Sequence, residues 1–388
     1  MPTFYKKWLS YALVSLSLYT TASFSATITI VNYDGSGEGF NDPTPVTPVD
    51  GNAGTTLGQQ RLNAAQAAAD AWAAVLKSDV EIRIGMTFDD LYCSSASAVL
   101  GQAGPTTVHR DFTHAPLSTT WYAQALANSL AGTDLDPTSD DISATFNSAL
   151  DSNPTCLGGM SWWYGIDSPA PAGTVDFYPT LLHEIAHGLG FLTFVDTSNG
   201  SKFYGYDDAF MVHLEDHSLG INWPDMTDAE RQASATDMGD LHWTGLNALG
   251  NAGLLTDGVS GGHIQMYAPS TLEPGSSVSH WDVSITPDEM MEAYATADPH
   301  DLITFRLMDD IDWNITGPSM GMGVCDGSNV NYSGPDIAAS EIVTCDLDDG
   351  TFSNTTVAGS LTIRASNHVG FMDSFSVTGT LSVQMTSP

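Results

Sequence analysis

Between Leu181 and Phe194 the chain reads LLHEIAHGLGFLTF, and no other stretch limits its fold so tightly. Residues four apart on a helix project from one face, so His183 and His187 must reach a common point. Leu181, Leu182, Ile185, Ala186, Leu189 and Phe191 surround them and demand burial. A buried His-Glu-His cluster without a partner would cost several kcal/mol. A metal ion answers that cost: zinc takes neutral imidazole nitrogen, and a catalytic site uses three protein ligands with one position left open. Glu184 cannot share its neighbours' direction and is placed to meet the attacking water as a general base. Gly188 and Gly190 each cost about 1 kcal/mol in a helix interior, so they are expected to end the helix and turn the chain back.

Two imidazoles leave the site short of one ligand. Ten residues after His183, where many such sites carry a third histidine, stands Thr193, a poor zinc ligand. The remaining histidines sort by context. His109 and His114 lie upstream, in edge-strand or loop surroundings. His213 and His217 sit four apart in the acidic VHLEDH, where they could form a second metal face, although a solvated helix is the simpler reading. His242 lies in DLHWTG, His263 follows two glycines, His300 falls in the first turn of an expected helix, and His368 belongs to the β-rich tail. His280 stands apart, with a polar turn before it and a methionine pair after it.

Here the pattern resembles the metzincin peptidases, and among them the leishmanolysin-like branch. That branch has HExxHxxGF, a long insertion, a histidine followed by Trp, and a methionine in a turn eleven residues on. HEIAHGLGF begins at His183, SHWD supplies His280 and Trp281, and PDEMM puts Met291 eleven residues after His280. The resemblance implies that His183, His187 and His280 hold one Zn2+, with Glu184 as general base and Met291 as the Met-turn residue beneath the metal. Met290 is the adjacent alternative. Tyr294 lies where some metzincins place an oxyanion-stabilising tyrosine. The implied fold is α+β: a zincin-like (metzincin) catalytic domain with a mixed sheet and an active-site helix, then a small all-β C-terminal domain. The chain has few cysteines for this branch and no pro-segment cysteine, so latency is not read from it.

The rest of the chain supplies the frame. Residues 1–26 read as a cleaved secretory signal: Lys6 and Lys7, a short apolar run, then small residues near Ser25. Residues 27–315 form the expected peptidase domain, 316–323 a linker and 324–388 a β-rich unit. Strands are expected at ATITIVNYD, VEIRIGM and GGMSWWYG, and a helix with Leu62, Ala65, Ala69, Trp72 and Leu76 on one face. TTVHRDF reads as an edge strand, and DDISATFNSAL as a short helix. YDDAFMVHLED and MTDAERQASATDMGDLHW read as amphipathic pieces. In DPHDLITFRLMDDIDW, Asp298 is the expected N-cap with Pro299 at the first helical position.

Cys93, Cys156, Cys325 and Cys345 permit three complete pairings; proximity favours Cys93–Cys156 and Cys325–Cys345. The net charge of −36, with only ten Lys plus Arg, repels phosphate backbones and excludes nucleic acid as a partner. Calcium could bind the aspartate-rich loops NYDGSGEGFND and DLDDGTFSN, although neither has EF-hand spacing. The expected protein is a monomeric, secreted or periplasmic zinc metalloendopeptidase acting on protein or peptide, with no membrane span once the signal is gone. Two other classes compete: a secreted zinc-fold binding or adhesion protein, against which the intact Glu184 argues, and a zinc amidase acting on cell-wall peptides.

Overall fold

The computed structural model describes residues 25–296 and 299–315, together with the backbone of strands between residues 330 and 385. Residues 1–24 of the expected signal, the linker, Asp298 and the Cys325–Cys345 pairing lie outside the described residues. The fold is mixed α+β.

Alternating apolar residues form β1 (Ile28–Asn32) and β2 (Ile82–Asp89), which pair in parallel, with Ile30 opposite Ile84. Between them runs α1 (Leu57–Val75), capped by Thr56, whose hydroxyl accepts the Gln59 N–H. It buries Ala65, Ala69 and Trp72 fully. Two further strands complete a sheet of order β1-β2-β4-β3: β3 (Gly101–Pro105) at one edge and β4 (Ile142–Asn147) beside β2. β4 runs parallel to β2, and β3 runs antiparallel to β4. The HExxH stretch lies in α2 (Phe177–Leu189), which packs on α1, β3 and β4. The Trp72 indole N–H donates to the Leu182 carbonyl at 3.0 Å and fastens the two helices together.

Several expectations change here. DDISATFNSAL is not a helix: Ile142, Ala144 and Phe146 alternate inward as β4, and only one helical turn follows, Ala149–Ser152. In TTVHRDF only Val108–His109 is strand; it is an edge, but of a separate three-stranded sheet, and the edge beside the HExxH stretch belongs to β3. Its sequence, GQAGP, carries almost no strand propensity; pairing with β4 imposes the conformation. YDDAFMVHLED breaks into a two-residue strand, Asp207–Asp208, which pairs with Thr120 and Trp121, then a 3-10 turn, Met211–His213, and β5 (Leu214–Asp216), whose backbone is claimed by antiparallel neighbours. β5 belongs to a second sheet, of order β6-β5-β7-β9-β8. The others are β6 (Ile221–Asn222), β7 (Leu241–Trp243), β8 (Val259–Ser260) and β9 (His263–Gln265).

The last described helix, α3 (Leu302–Asp310), begins three residues beyond Pro299. Its first-turn amides, which have no partner within the helix, are met by a remote carboxylate. Glu289 accepts the Ile303 N–H at 3.3 Å and the Thr304 N–H at 3.2 Å, and takes the Thr304 hydroxyl at 3.0 Å. Farther on, strands Val330–Tyr332, Ile342–Phe352, Ser360–Phe371 and Thr380–Met385 pair in parallel, with Ile342 opposite Ser360 and Ser360 opposite Thr380. Cys93 and Cys156 form a disulfide across a separation of 63 residues. Among the described residues no helix is long and apolar enough to cross a membrane.

Candidate metal centre

Asp176 starts α2 by accepting the Tyr178 N–H at 3.1 Å, and Gly190 ends it at φ +120. Only Gly190 acts as the expected terminator. Gly188 lies inside the helix, where a Cβ would collide with Ile142 of β4. Its smallness sets how closely the helix approaches the sheet. The turn after Gly190 returns the Phe191 carbonyl to the His187 ring, with Nδ1 to O at 2.8 Å.

The other two rings are held alike. His183 Nδ1 lies 2.8 Å from the Met290 carbonyl, and His280 Nδ1 lies 2.8 Å from the Ser276 carbonyl. A carbonyl can only accept, so each Nδ1 carries the proton and each Nε2 presents a bare lone pair. The three Nε2 atoms converge, 3.1 Å apart in each pair. No hydrogen lies between them to relieve the facing lone pairs. Burial holds the rings neutral: it lowers His183, takes His187 to about 3 with help from His183, and takes His280 well below the usual histidine range.

This donor set fits zinc. Nitrogens about 2.0–2.1 Å from a tetrahedral ion lie about 3.3–3.4 Å from one another, close to the spacing found here. The carbonyls that fix the tautomers are the usual outer partners of metal-bound histidine.

Glu184 is buried beside the three rings, at the wall of a cavity of about 600 Å³. Its Oε2 has no hydrogen-bond partner. Burial pushes this carboxyl up to about 8, offset in part by the Ala103 amide. Edge strand β3 forms the facing wall with Gly101, Gln102 and Ala103. At Gly101 even a Cβ would press on the Glu184 side chain, at 2.9–3.0 Å.

Thr193 supplies no ring nitrogen, yet it is not idle. Its N–H donates to Ser279 Oγ at 3.2 Å, and so tethers the residue next to His280. Its hydroxyl donates to the buried Asp208 at 2.8 Å. Asp208 also accepts the N–H groups of Phe194, Phe210 and Met211, and burial raises it to about 6 against those donors. From the other side, the Tyr267 N–H holds the His280 carbonyl at 2.9 Å, just beyond β9.

Both methionines of PDEMM lie in the turn that closes the site. Met290 lines the cavity and its carbonyl orients His183. Met291 is fully buried, and its carbonyl accepts the Trp281 N–H at 2.8 Å. Tyr294 lies on the cavity wall, but its hydroxyl donates to Glu273 at 3.1 Å and meets the Tyr267 hydroxyl at 3.0 Å. In the loop around Asn32–Asp42, Asp34 is occupied by the N–H groups of Phe40 and Phe88. The other aspartate-rich stretch, 346–354, is not a loop over most of its length, since its backbone runs in the strand Ile342–Phe352; its side chains lie outside the described residues.

Sequence reasoning missed the supporting groups: the carbonyls of Phe191, Ser276 and Met290, and the carboxylates of Asp208 and Glu289. Carbonyls leave no mark in a sequence. Comparisons with protein-family models, with curated proteins and with solved structures found no match.

Proposed function

We propose that the chain is a secreted zinc-dependent metalloendopeptidase of the metzincin kind, similar to the leishmanolysin-like branch. One observation carries this reading: three Nε2 lone pairs converge beside a buried glutamate carboxyl that has an unpartnered oxygen, at the wall of an open cavity. His183, His187 and His280 would hold the ion. Zinc, when bound there, supplies a Lewis acid for the scissile carbonyl and lowers the pKa of water.

The chain's own residues would do the rest. The edge position of β3 suits an extended peptide, which would add as a further strand and bring its carbonyl to the cavity floor. Glu184 would take the proton of the attacking water on Oε2 and pass it to the leaving amine nitrogen. Its raised affinity for a proton suits that transfer, and a nearby dication would draw the value back toward neutrality. Asp208, Thr193 and Ser279 would keep His280 in place while substrate enters.

The test is Glu184→Gln, which keeps shape and removes the base. Casein cleavage should fall about 10²–10⁴-fold, the usual contribution of a positioned base. Zinc per chain should not change. Cleavage at the parental rate would refute the peptidase assignment.

A further inference from the structure

We propose that His217, His242 and His263, with Glu215 among them, form a second metal site for a divalent transition ion of the zinc class. The site is built on the second sheet, and its residues are distinct from those of the first centre. Glu215 of β5 lies directly opposite His242 of β7. His217 follows β5, with its N–H on the Asp240 carbonyl at 2.7 Å. His263 opens β9 immediately after the hairpin glycines Gly261 and Gly262, at φ +60 and +89. Gly261 has to be glycine on two counts: its φ is left-handed, and a Cβ would lie 2.8 Å from His217 Cε1. The hairpin is thereby drawn down against the His217 ring.

One ring nitrogen from each histidine falls within 4.8 Å of the others. His242 is the decisive member. It is fully buried, and its Nε2–H donates to the Gly239 carbonyl at 3.0 Å. The tautomer is thereby fixed, and Nδ1 is left as a buried lone pair with no hydrogen-bond partner. A histidine that served only to fill the core would direct both nitrogens to partners. His263 Nδ1 is likewise buried without a hydrogen bond. It lies 3.4 Å from Glu215 Oε2, while His217 Nδ1 lies 3.6 Å from Oε1. Those contacts are too long or too poorly directed for hydrogen bonds. The carboxylate therefore stands between two imidazoles, able to complete a tetrahedral set or to orient the rings. The side chains of His217 and His263 are 46% and 29% exposed, so an ion can enter from solvent.

The consequence would be structural. An ion here would clamp β5, β7 and the start of β9 to one another. The chain beyond β9 runs to Tyr267, whose N–H holds the His280 carbonyl. The second site would thus stiffen the insertion that supplies the third ligand of the first.

The experiment is zinc content per chain after equilibrating the purified protein with micromolar zinc chloride and desalting. Parent protein should retain two zinc ions, His187→Ala one, His217→Ala one and the double variant none. His217 is half-exposed, so its loss should leave the fold intact, which circular dichroism would check. Competition with a chelator should show the second equivalent weakened at least about 100-fold in His217→Ala. One zinc in both the parent and His217→Ala, or two retained by His217→Ala, would overturn the proposal. Binding that needs millimolar zinc would overturn it as well. The peptidase reading stands or falls separately, on Glu184→Gln.

Discussion

Gly188→Ala is the substitution for which local and tertiary reasoning disagree most sharply. By helix propensity alone the change should stabilise α2 by about 1 kcal/mol. The fold says otherwise, because the new Cβ would fall inside van der Waals contact of Ile142 Cγ2 and 2.8 Å from its Cγ1 and Cδ1. Ile142 is fully buried on β4, with Tyr122, Phe146 and α2 around it in the same core, so it has little room to yield. Overpacking of this kind costs about 1–3 kcal/mol, which outweighs the propensity gain. The net expectation is a loss of up to about 2 kcal/mol, read as a lower urea midpoint with an unchanged slope. Because His187 immediately precedes Gly188, the displaced helix should also weaken zinc at the first centre.

A double-mutant cycle isolates the cause. Ile142→Ala alone should cost about 2–5 kcal/mol by leaving a cavity. In the double variant the methyl added at Gly188 would occupy part of that cavity. The combined loss should then fall short of the sum by about 0.5–3 kcal/mol. If Gly188→Ala instead raises the urea midpoint and the cycle shows no coupling, the close approach of α2 to β4 is refuted.

Two further outcomes follow from the turn that closes the site. Burial raises Glu289 from 4.5 to about 7. A carboxyl whose folded pKa is raised contributes stability that is fully present below pH 4.5 and is lost as pH rises through about 7. Glu289→Gln should therefore flatten the decline of the urea midpoint across that window, and a decline parallel to the parent's would contradict the assignment. Tyr294→Phe should slow cleavage less than about 10-fold, because the hydroxyl is engaged with Glu273 and Tyr267; a loss of about 10²–10³ would instead mark it as an oxyanion donor.

The legible parts of this molecule are those with a short-range signature. α1 and β2 follow directly from apolar periods of 3.6 and 2. The two ring nitrogens of α2 follow from a spacing of four. Long-range pairing erased other signals. GQAGP has no strand propensity, yet it edges the sheet because β4 holds it there. YDDAFMVHLED has a helical rhythm, yet it yields to antiparallel neighbours. Asp298 and Pro299 looked like a helix start, while α3 takes its cap from Glu289, thirteen residues before Leu302. His213 and His217 looked like a pair at helical spacing. The structure separates them, setting His213 near Trp243 and carrying His217 to His242 and His263.

The sequence by itself determined that His183 and His187 share a direction, that Glu184 points elsewhere, and that any third ring joining them would have to come from outside the stretch. Those are consequences of helix geometry and need no partner. Only the tertiary structure decided how His280 reaches them, because that depends on contacts between residues far apart in the chain. Thr193 tethers Ser279, Tyr267 holds the His280 carbonyl, and three backbone carbonyls fix the three tautomers. Each of these is a hydrogen bond whose distance and direction exist only once the sheets and helices have packed.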